Sequence, residues 1–349
     1  MMFSSDPKAF EAGSKTAERM GKYREVLEKL DIIRLDRSRG RLLRFWRAYR
    51  EAKRLLKRDR YDLITAQEIE HAFLAWRLSR KFGVPFEIQI HTDIFSPYFV
   101  GSSVSNKVRV LSARFLLPRA SHIRVVSQRI KNSLLGLTLY RLPPISVLPI
   151  FSEISLTKGG GNIKAKYPDA SFVILMVSRL THEKNIPLAI RAFRKVADEF
   201  PGAFLFIVGD GPERERLEEE AIHEKIQPRV LFQGWHENLA PYYAGADAYL
   251  LTSNYEGFGL SAVEALSAGV PVVMTDVGIA GEIVRHGENG IVVPVGDEKG
   301  IAGALTGLIV DVELMSKLRN GARETPMPYK SFEEYRDKLV TIWQRAAQK

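Results

Sequence analysis

"AYLLTSNYEGFGLSAVEALSAGVPVVMT", residues 248–275, is the stretch on which the fold turns. It opens on a short apolar run, passes through a loop with two glycines, and from Leu260 to Ala268 has the pattern of a helix that Gly269 and Pro271 stop. A second β-branched run then closes it. Strand, loop, helix and strand in that order make a βαβ unit, the building block of parallel sheets. Two carboxylates, Glu256 and Glu264, flank the Gly-Phe-Gly turn. Acidic residues suit the first turn of any helix because they complement its dipole. A second reading rests on position. In doubly wound sheets ligands gather beyond the carboxyl ends of strands, where helix N-termini present unpaired amides. Gly257 and Gly259 let the main chain approach a phosphate or a sugar closely and donate to it. Glu256, in the loop, can then accept from sugar hydroxyls, and Glu264, a turn into the helix, can reach a second polyol such as ribose. Each such charged hydrogen bond contributes about 1.5–3 kcal/mol.

The same rhythm runs outward in both directions. Strands are predicted at 172–177, 204–209, 230–234, 248–252, 271–275 and 290–294, and in the first half at 32–35, 63–65, 86–90, 123–126 and 145–148, with amphipathic runs between them. A chain of 349 residues is too long for one ordinary core. The glycine-rich, polar segment 157–170 reads as a linker between two halves. The fold expected is therefore α/β, with two Rossmann-like doubly wound parallel-sheet domains, 1–155 and 156–330, facing a cleft. Residues 331–349 form a separate helix that opens with a capping box, Ser331 to Glu334, and sets Phe332, Tyr335, Leu339, Ile342, Trp343 and Ala346 on one face. Periodicity alone allows it to pack on either domain; a return to the first is the expectation adopted.

An anion at the loop needs cations, and the strand at 172–177 is followed closely by Arg179 and Lys184. Arg can chelate a diphosphate through its planar fork while Lys acts as a point charge. An Arg-Lys pair on a loop is also the ordinary composition of a solvated surface. The chain has no cysteine, hence neither disulfides nor a thiolate metal site. It has no signal-like segment and no apolar run of about 18 residues, so a cytoplasmic protein is expected.

The formal net charge is +10, and between Arg37 and Arg60 eleven Arg or Lys stand against Glu51 and Asp59. The excess is a local patch. One reading is a helix with its apolar side in the core and a solvated basic side. The other keeps that helix and turns the basic side, residues 37–60, toward an anionic membrane surface at the inner leaflet.

Taken together, "EGFGLSAVE", "VSRLTHEKN", "VGDGP" (208–212) and "VLFQG" resemble the retaining glycosyltransferases of family 4, which have the GT-B fold. The resemblance covers the second half densely and the first more loosely. It implies that Arg179 and Lys184 hold the donor diphosphate, with Gly209 and the main chain of Gly257, Phe258, Gly259 and Leu260 beside them. It further implies Glu256 near the transferred sugar, Glu264 near the ribose, and Phe232 to Gly234 beside the base. His91, after the strand at 86–90, by itself reads as a packed or capping residue. Similar enzymes place a histidine here over the donor sugar, and Asp93 is expected to orient it. Ser5, Asp6 and Gly13 are expected to stand in, on the acceptor side, for a glycine-bearing loop that the family sets after its first strand. That strand looks shortened here, and "IFSE" (150–153) replaces the family's Asn-Gly.

The activity implied is retaining transfer from a nucleotide-diphosphate sugar to a saccharide or lipid-linked acceptor, with catalytic roles for His91 and Glu256, no cofactor and no metal. A nucleotide-sugar epimerase or a sugar phosphorylase shares the same plan and is the alternative. A nicotinamide dehydrogenase needs Gly-x-Gly-x-x-Gly, which "GDGPER" lacks. Only the basic stretch points toward nucleic acid, and the donor motifs have no place in such a protein, so no nucleic-acid partner is expected.

Overall fold

A computed structural model of the chain describes residues 1–35, 40–136, 141–152 and 161–348, with the side chains of 41 and 42 also outside the description. The chain divides into two compact units, Met1–Pro149 with Tyr329–Lys349, and Ile150–Pro328.

The first unit is built on a six-stranded parallel sheet: β1 (Met2–Ser4), β2 (Ile32–Arg34), β3 (Ile64–Gln67), β4 (Phe86–Ile90), β5 (His122–Val125) and β6 (Ile145–Val147). The spatial order is β2-β1-β3-β4-β5-β6, so the winding reverses between β1 and β3. The strand β1 is three residues long, yet it lies inside the sheet, paired with β2 and β3, and Phe3 is fully buried. The crossovers are α1 (Lys15–Arg24), α2 (Arg41–Arg58), α3 (Glu68–Phe82), the short α4 (Pro97–Ser102) with α5 (Val104–Leu116), and α6 (Gln128–Leu135). Serine side chains start three of them: Ser14, Ser103 and Ser127 accept from the backbone amides of Ala17, Asn106 and Ile130.

The second unit carries β7 (Phe172–Val177), β8 (Ala203–Val208), β9 (Val230–Gly234), β10 (Ala248–Leu251), β11 (Val272–Thr275) and β12 (Gly290–Val293), again all parallel. Their order, β12-β11-β10-β7-β8-β9, is that of the dinucleotide-binding sheets, and it reverses between β7 and β10. The helices are α7 (Ile186–Glu199), α8 (Arg214–His223), α9 (Ala240–Gly245), α10 (Leu260–Ser267), α11 (Glu298–Val310) and α12 (Val312–Glu324). Ile174, Leu205, Ile207, Leu250 and Val273 from the strands meet Phe193, Val196 and Leu305 from α7 and α11 in one buried core.

The last helix, α13 (Phe332–Ala347), is capped by Ser331, whose hydroxyl accepts from Glu334 N at 3.2 Å. The carboxylate of Glu334 reaches one residue further back than a capping box requires, to Lys330 N at 2.9 Å. Its buried residues are Phe332, Tyr335, Leu339, Ile342, Trp343 and Ala346. They pack in the first unit, where the Trp343 indole donates to Glu87 on β4 at 3.0 Å and stands edge-on to Tyr23 of α1.

Two expectations need correcting. The segment 157–170 is not all linker, because Ile163–Lys166 form a 3-10 turn in the second unit with Ile163 buried; residues 157–160 lie outside the described ones. Among the described side chains of α2 the buried ones are Ala48, Ala52 and Leu55, whereas Leu43 and Trp46 are 46% and 53% exposed. The small alanines let this helix lie close to its neighbours, and that rotates the larger apolar side chains toward solvent. Among the described residues no helix is long and apolar enough to cross a membrane.

Candidate functional site

In the second unit the candidate residues gather where the strand order reverses. Beyond β7 the chain runs through Ser178 and Arg179 into a 3-10 turn, His182–Lys184, and Asn185 takes the left-handed conformation (φ +46°) to start α7. Beyond β10 it runs through Thr252 and Ser253 to Gly259, whose φ of +95° turns the loop into α10. Short contacts join the two loops. Thr252 Oγ1 lies 3.0 Å from the carbonyl of Lys184, Asn185 Nδ2 donates to Asn254 Oδ1 at 3.0 Å, and Asn254 N donates to the Glu183 carbonyl at 2.8 Å.

The result is a pair that is largely shielded from solvent. Lys184 Nζ lies 2.5 Å from Glu256 Oε1, their side chains 17% and 13% exposed, and Ser253 Oγ donates to the same oxygen at 2.7 Å. A concave pocket beside them is lined by Ser178, Tyr249, Thr252 and Ser261. Arg179 points outward, 74% exposed, and touches Glu183 at 3.2 Å, so it can swing to an anion with little loss. On α10 both oxygens of Glu264 are engaged, Oε1 by Ser152 Oγ at 2.8 Å and Oε2 by Tyr243 OH at 2.9 Å. Burial first, and the Glu264 charge second, push the Tyr243 phenol well above its ordinary range. It therefore stays a donor and fixes the carboxylate.

The glycines are structural in different ways. A Cβ on Gly209 (φ +135°) would stand 1.9 Å from the Ser178 carbonyl, so only glycine lets the end of β8 close on the end of β7. Gly209 N also donates to the carbonyl of Gly234 at 2.7 Å. Gly257 is buried, and Leu260 is the first residue of α10. Phe258 is 2% exposed and its carbonyl accepts from Ile279 N at 3.0 Å, so its ring serves packing and the loop's offer to a ligand is its main chain. Phe232 is half-buried on β9 against the core.

In the first unit His91 follows β4 directly. Its amide donates to Glu68 Oε1 at 3.1 Å, its Nδ1 lies 3.3 Å from the same oxygen, and its Nε2 lies 2.9 Å from Arg124 Nη2. Asp93 does not orient it. That carboxyl is buried and accepts from Ser133 Oγ on α6 at 2.9 Å; desolvation pushes its pKa above the usual value. Asp6 accepts from Lys8 N at 3.0 Å and thereby caps a turn, while Gly13 (φ +79°) leads into Ser14, the cap of α1. Ser5 lies between Asp6 and Ser4, and Ser4 Oγ donates to Gln67 Oε1 at 2.8 Å, joining β1 to β3 where this sheet reverses.

Reading the sequence missed Glu68, Gln89, Arg124, Tyr243 and Ser253. A signal for two of these, Gln89 and Arg124, existed. In "FEIQIH" (86–91) the polar residues alternate with apolar ones, and "HIRV" (122–125) does the same, so one face of a buried sheet is lined with Glu, Gln, His and Arg.

Two Rossmann-like units with parallel sheets wound on both faces, the second holding a shielded Lys-Glu pair and a helix N-terminus at its switch point, define an α/β protein of GT-B architecture. Comparison with known proteins agrees. Residues 162–325 match the model for glycosyl transferases group 1, and residues 15–150 match that for a glycosyl transferase 4-like domain. The chain is 34% identical over 295 residues to the N-acetyl-alpha-D-glucosaminyl L-malate synthase of Bacillus anthracis, covering 82% of this chain and 74% of that one. Among solved structures it superposes on sucrose-phosphate synthase from Thermosynechococcus elongatus with a TM-score of 0.77 at 22% identity, over 90% of this chain and 82% of the other. It superposes on Anabaena Alr3699/HepE in complex with UDP-glucose with a TM-score of 0.72 at 23% identity, over 99% and 98%. The chain belongs to glycosyltransferase family 4.

Proposed function

We propose that this glycosyltransferase is a retaining, metal-independent enzyme that takes its sugar from a nucleotide-diphosphate donor and passes it to a saccharide or lipid-linked acceptor. The observation that carries the reading is the Lys184–Glu256 pair beside the N-terminus of α10, with Arg179 on the preceding loop. A cation and a carboxylate lining one pocket, with a second cation and a helix N-terminus on the two adjoining loops, suit a ligand that is anionic at one end and hydroxylated at the other. The similar fold of Alr3699/HepE, solved with UDP-glucose, supports it.

In this scheme the diphosphate leaves from an oxocarbenium-like sugar and the acceptor hydroxyl attacks from the same face. Arg179, Lys184 and the amides of Gly259 and Leu260 meet the charge that develops on the leaving group, where preorganised dipoles count most. Glu256 accepts from sugar hydroxyls once Lys184 is drawn toward phosphate, Glu264 holds the ribose, and His91 serves the transferred sugar. On α2 the exposed Leu43 and Trp46, the latter under the Arg50 guanidinium at 4.6 Å, favour an anionic membrane surface as the place where a lipid-linked acceptor is met.

A panel of UDP, GDP and ADP sugars, followed by thermal shift and by donor hydrolysis with and without chelator, tests the reading. One donor class should stabilise the protein and be hydrolysed slowly, unaffected by chelator. Activity that disappears with chelator and returns with magnesium overturns metal independence, and epimerised sugar without acceptor points to the alternative activity.

A further inference from the structure

Beneath α13 the first unit buries a set of polar groups that a purely structural sheet would not need. Glu87, Gln89 and His91 point to one face because they alternate along β4 and just beyond it, and the register Glu87↔His122, Gln89↔Arg124 sets His122 and Arg124 of β5 beside them. Glu87, Gln89 and Arg124 are each no more than 4% exposed. Every direction in the chain of contacts is determined by chemistry. Glu87 can only accept, and it takes the Trp343 indole and Gln89 Nε2, both at 3.0 Å. The amide of Gln89 must then turn its oxygen to Arg124, which donates from Nη2 at 2.8 Å. Arg124 can only donate, and its Nη1 reaches Tyr335 OH on α13 at 3.4 Å.

The same rule decides the state of His91. The second hydrogen of Arg124 Nη2 faces His91 Nε2 at 2.9 Å, so that nitrogen must offer its lone pair. The ring proton is left on Nδ1, 3.3 Å from Glu68 Oε1. Glu68 is held there at some cost: its φ is +66°, a left-handed conformation rare for a residue with a long side chain. We propose that Arg124, held by Gln89 and by Tyr335 of α13, is a positioning residue that fixes His91 as the neutral Nδ1–H tautomer. His91 then presents an acceptor nitrogen to a sugar hydroxyl and is no general acid, because its proton is committed to Glu68. A hydroxyl reaching Nε2 competes with Arg124 for the lone pair, and Arg124 keeps its bonds to Gln89 and Tyr335 when it yields.

The consequence for turnover rests on the proposed role of His91 in transfer; the tautomer does not. Long-range proton–nitrogen correlation on the ¹⁵N-labelled full chain, with His91 assigned through His91→Gln, reads the tautomer directly. Wild type should show an unprotonated Nε2 and a protonated Nδ1. Arg124→Met should move the proton to Nε2 or average the two forms, Tyr335→Phe should shift the balance less, and Arg124→Lys should restore part of it. A protonated Nε2 in wild type overturns the proposal even if every variant fails to fold, as does an unchanged tautomer in a folded Arg124→Met. With the donor sugar that the panel identifies, Arg124→Met should lower kcat about 10- to 100-fold, by analogy with the loss of an outer partner of a metal-bound histidine. Donor KM and UDP affinity should hold. If His91→Ala keeps full turnover, the role of His91 in transfer fails while the tautomer assignment stands.

Discussion

At Glu264 both carboxylate oxygens already have donors, Ser152 and Tyr243, whereas Glu256 shares one oxygen between Lys184 and Ser253. The first arrangement locks a group that binds; the second leaves one that can change partners as ligand enters. Glu256→Gln should therefore remove most turnover and leave nucleotide-diphosphate affinity within about twofold. Glu264→Ala should do the reverse, weakening nucleotide binding by about 1.5–3 kcal/mol, or roughly 10- to 150-fold. Titration calorimetry beside steady-state rates checks both, and full activity in both variants would end the two-carboxylate account. Arg179→Ala and Lys184→Ala should each weaken nucleotide-diphosphate binding far more than nucleoside binding. Residues whose place follows from a local loop, such as Lys184 and Glu256, were legible in the sequence. Arg124 was not, because its meaning arises from pairing with Gln89, 35 positions away, and Asp93 was misread because proximity in sequence does not show which way a carboxyl turns.

The helices α2 and α13 carry opposite lessons about periodicity. On α13 the apolar stripe and the buried face coincide residue for residue, and the strands 86–90, 172–177 and 230–234 were likewise legible to the residue, since each is a short apolar or alternating run with clear stops. Deleting the chain from Phe332 onward would expose the sheet face that five large side chains cover, at about 1.5–3 kcal/mol each. That is as much as a whole domain's stability, so the first unit should lose its cooperative melting transition while the second keeps its own. Calorimetry of the truncated chain decides it. On α2 the described apolar side chains divide: Leu55 is buried with Ala48 and Ala52, whereas Leu43 and Trp46 face solvent, so the buried side is narrower than the run of leucines and aromatics suggests. The outward face is the one to test. Wild type should sediment with phosphatidylglycerol vesicles at low salt and be released at high salt, at about 1 kcal/mol per engaged cation. Replacing Arg44, Arg47, Arg54 and Arg58 with Glu should abolish sedimentation without touching UDP affinity, and equal sedimentation of both proteins would leave a soluble saccharide as the acceptor.

At the scale of the molecule the chain crosses between units twice, at Pro149–Ile150 and Pro328–Tyr329, so the second unit is continuous in sequence and the first is not. The second unit has its own sheet, core and candidate donor residues. A fragment of residues 150–328 should fold alone and bind UDP within about tenfold of the full chain, while residues 1–149 without α13 should remain aggregation-prone. A fragment that is unfolded by circular dichroism would show that the second unit depends on the first. Two doubly wound halves were legible from strand spacing alone. The return of the last helix to the first unit was expected, although periodicity alone left both domains open, because the contacts that place it join residues as far apart as Glu87 and Trp343, 256 positions.

That long reach has a consequence for how the protein is made. On the ribosome residues 1–149 emerge before the second unit but cannot close, since the helix that covers Glu87, Gln89 and Arg124 is made only after residues 150–328. At about 5–20 residues per second, the stretch from Pro149 to Tyr329 takes roughly 9–36 s to synthesise. Throughout that interval the sheet face that α13 covers stays open, so the unit encoded second is expected to fold first. Chains released after residue 328 should accordingly be protease-resistant over 150–328 and still cleavable over 1–149.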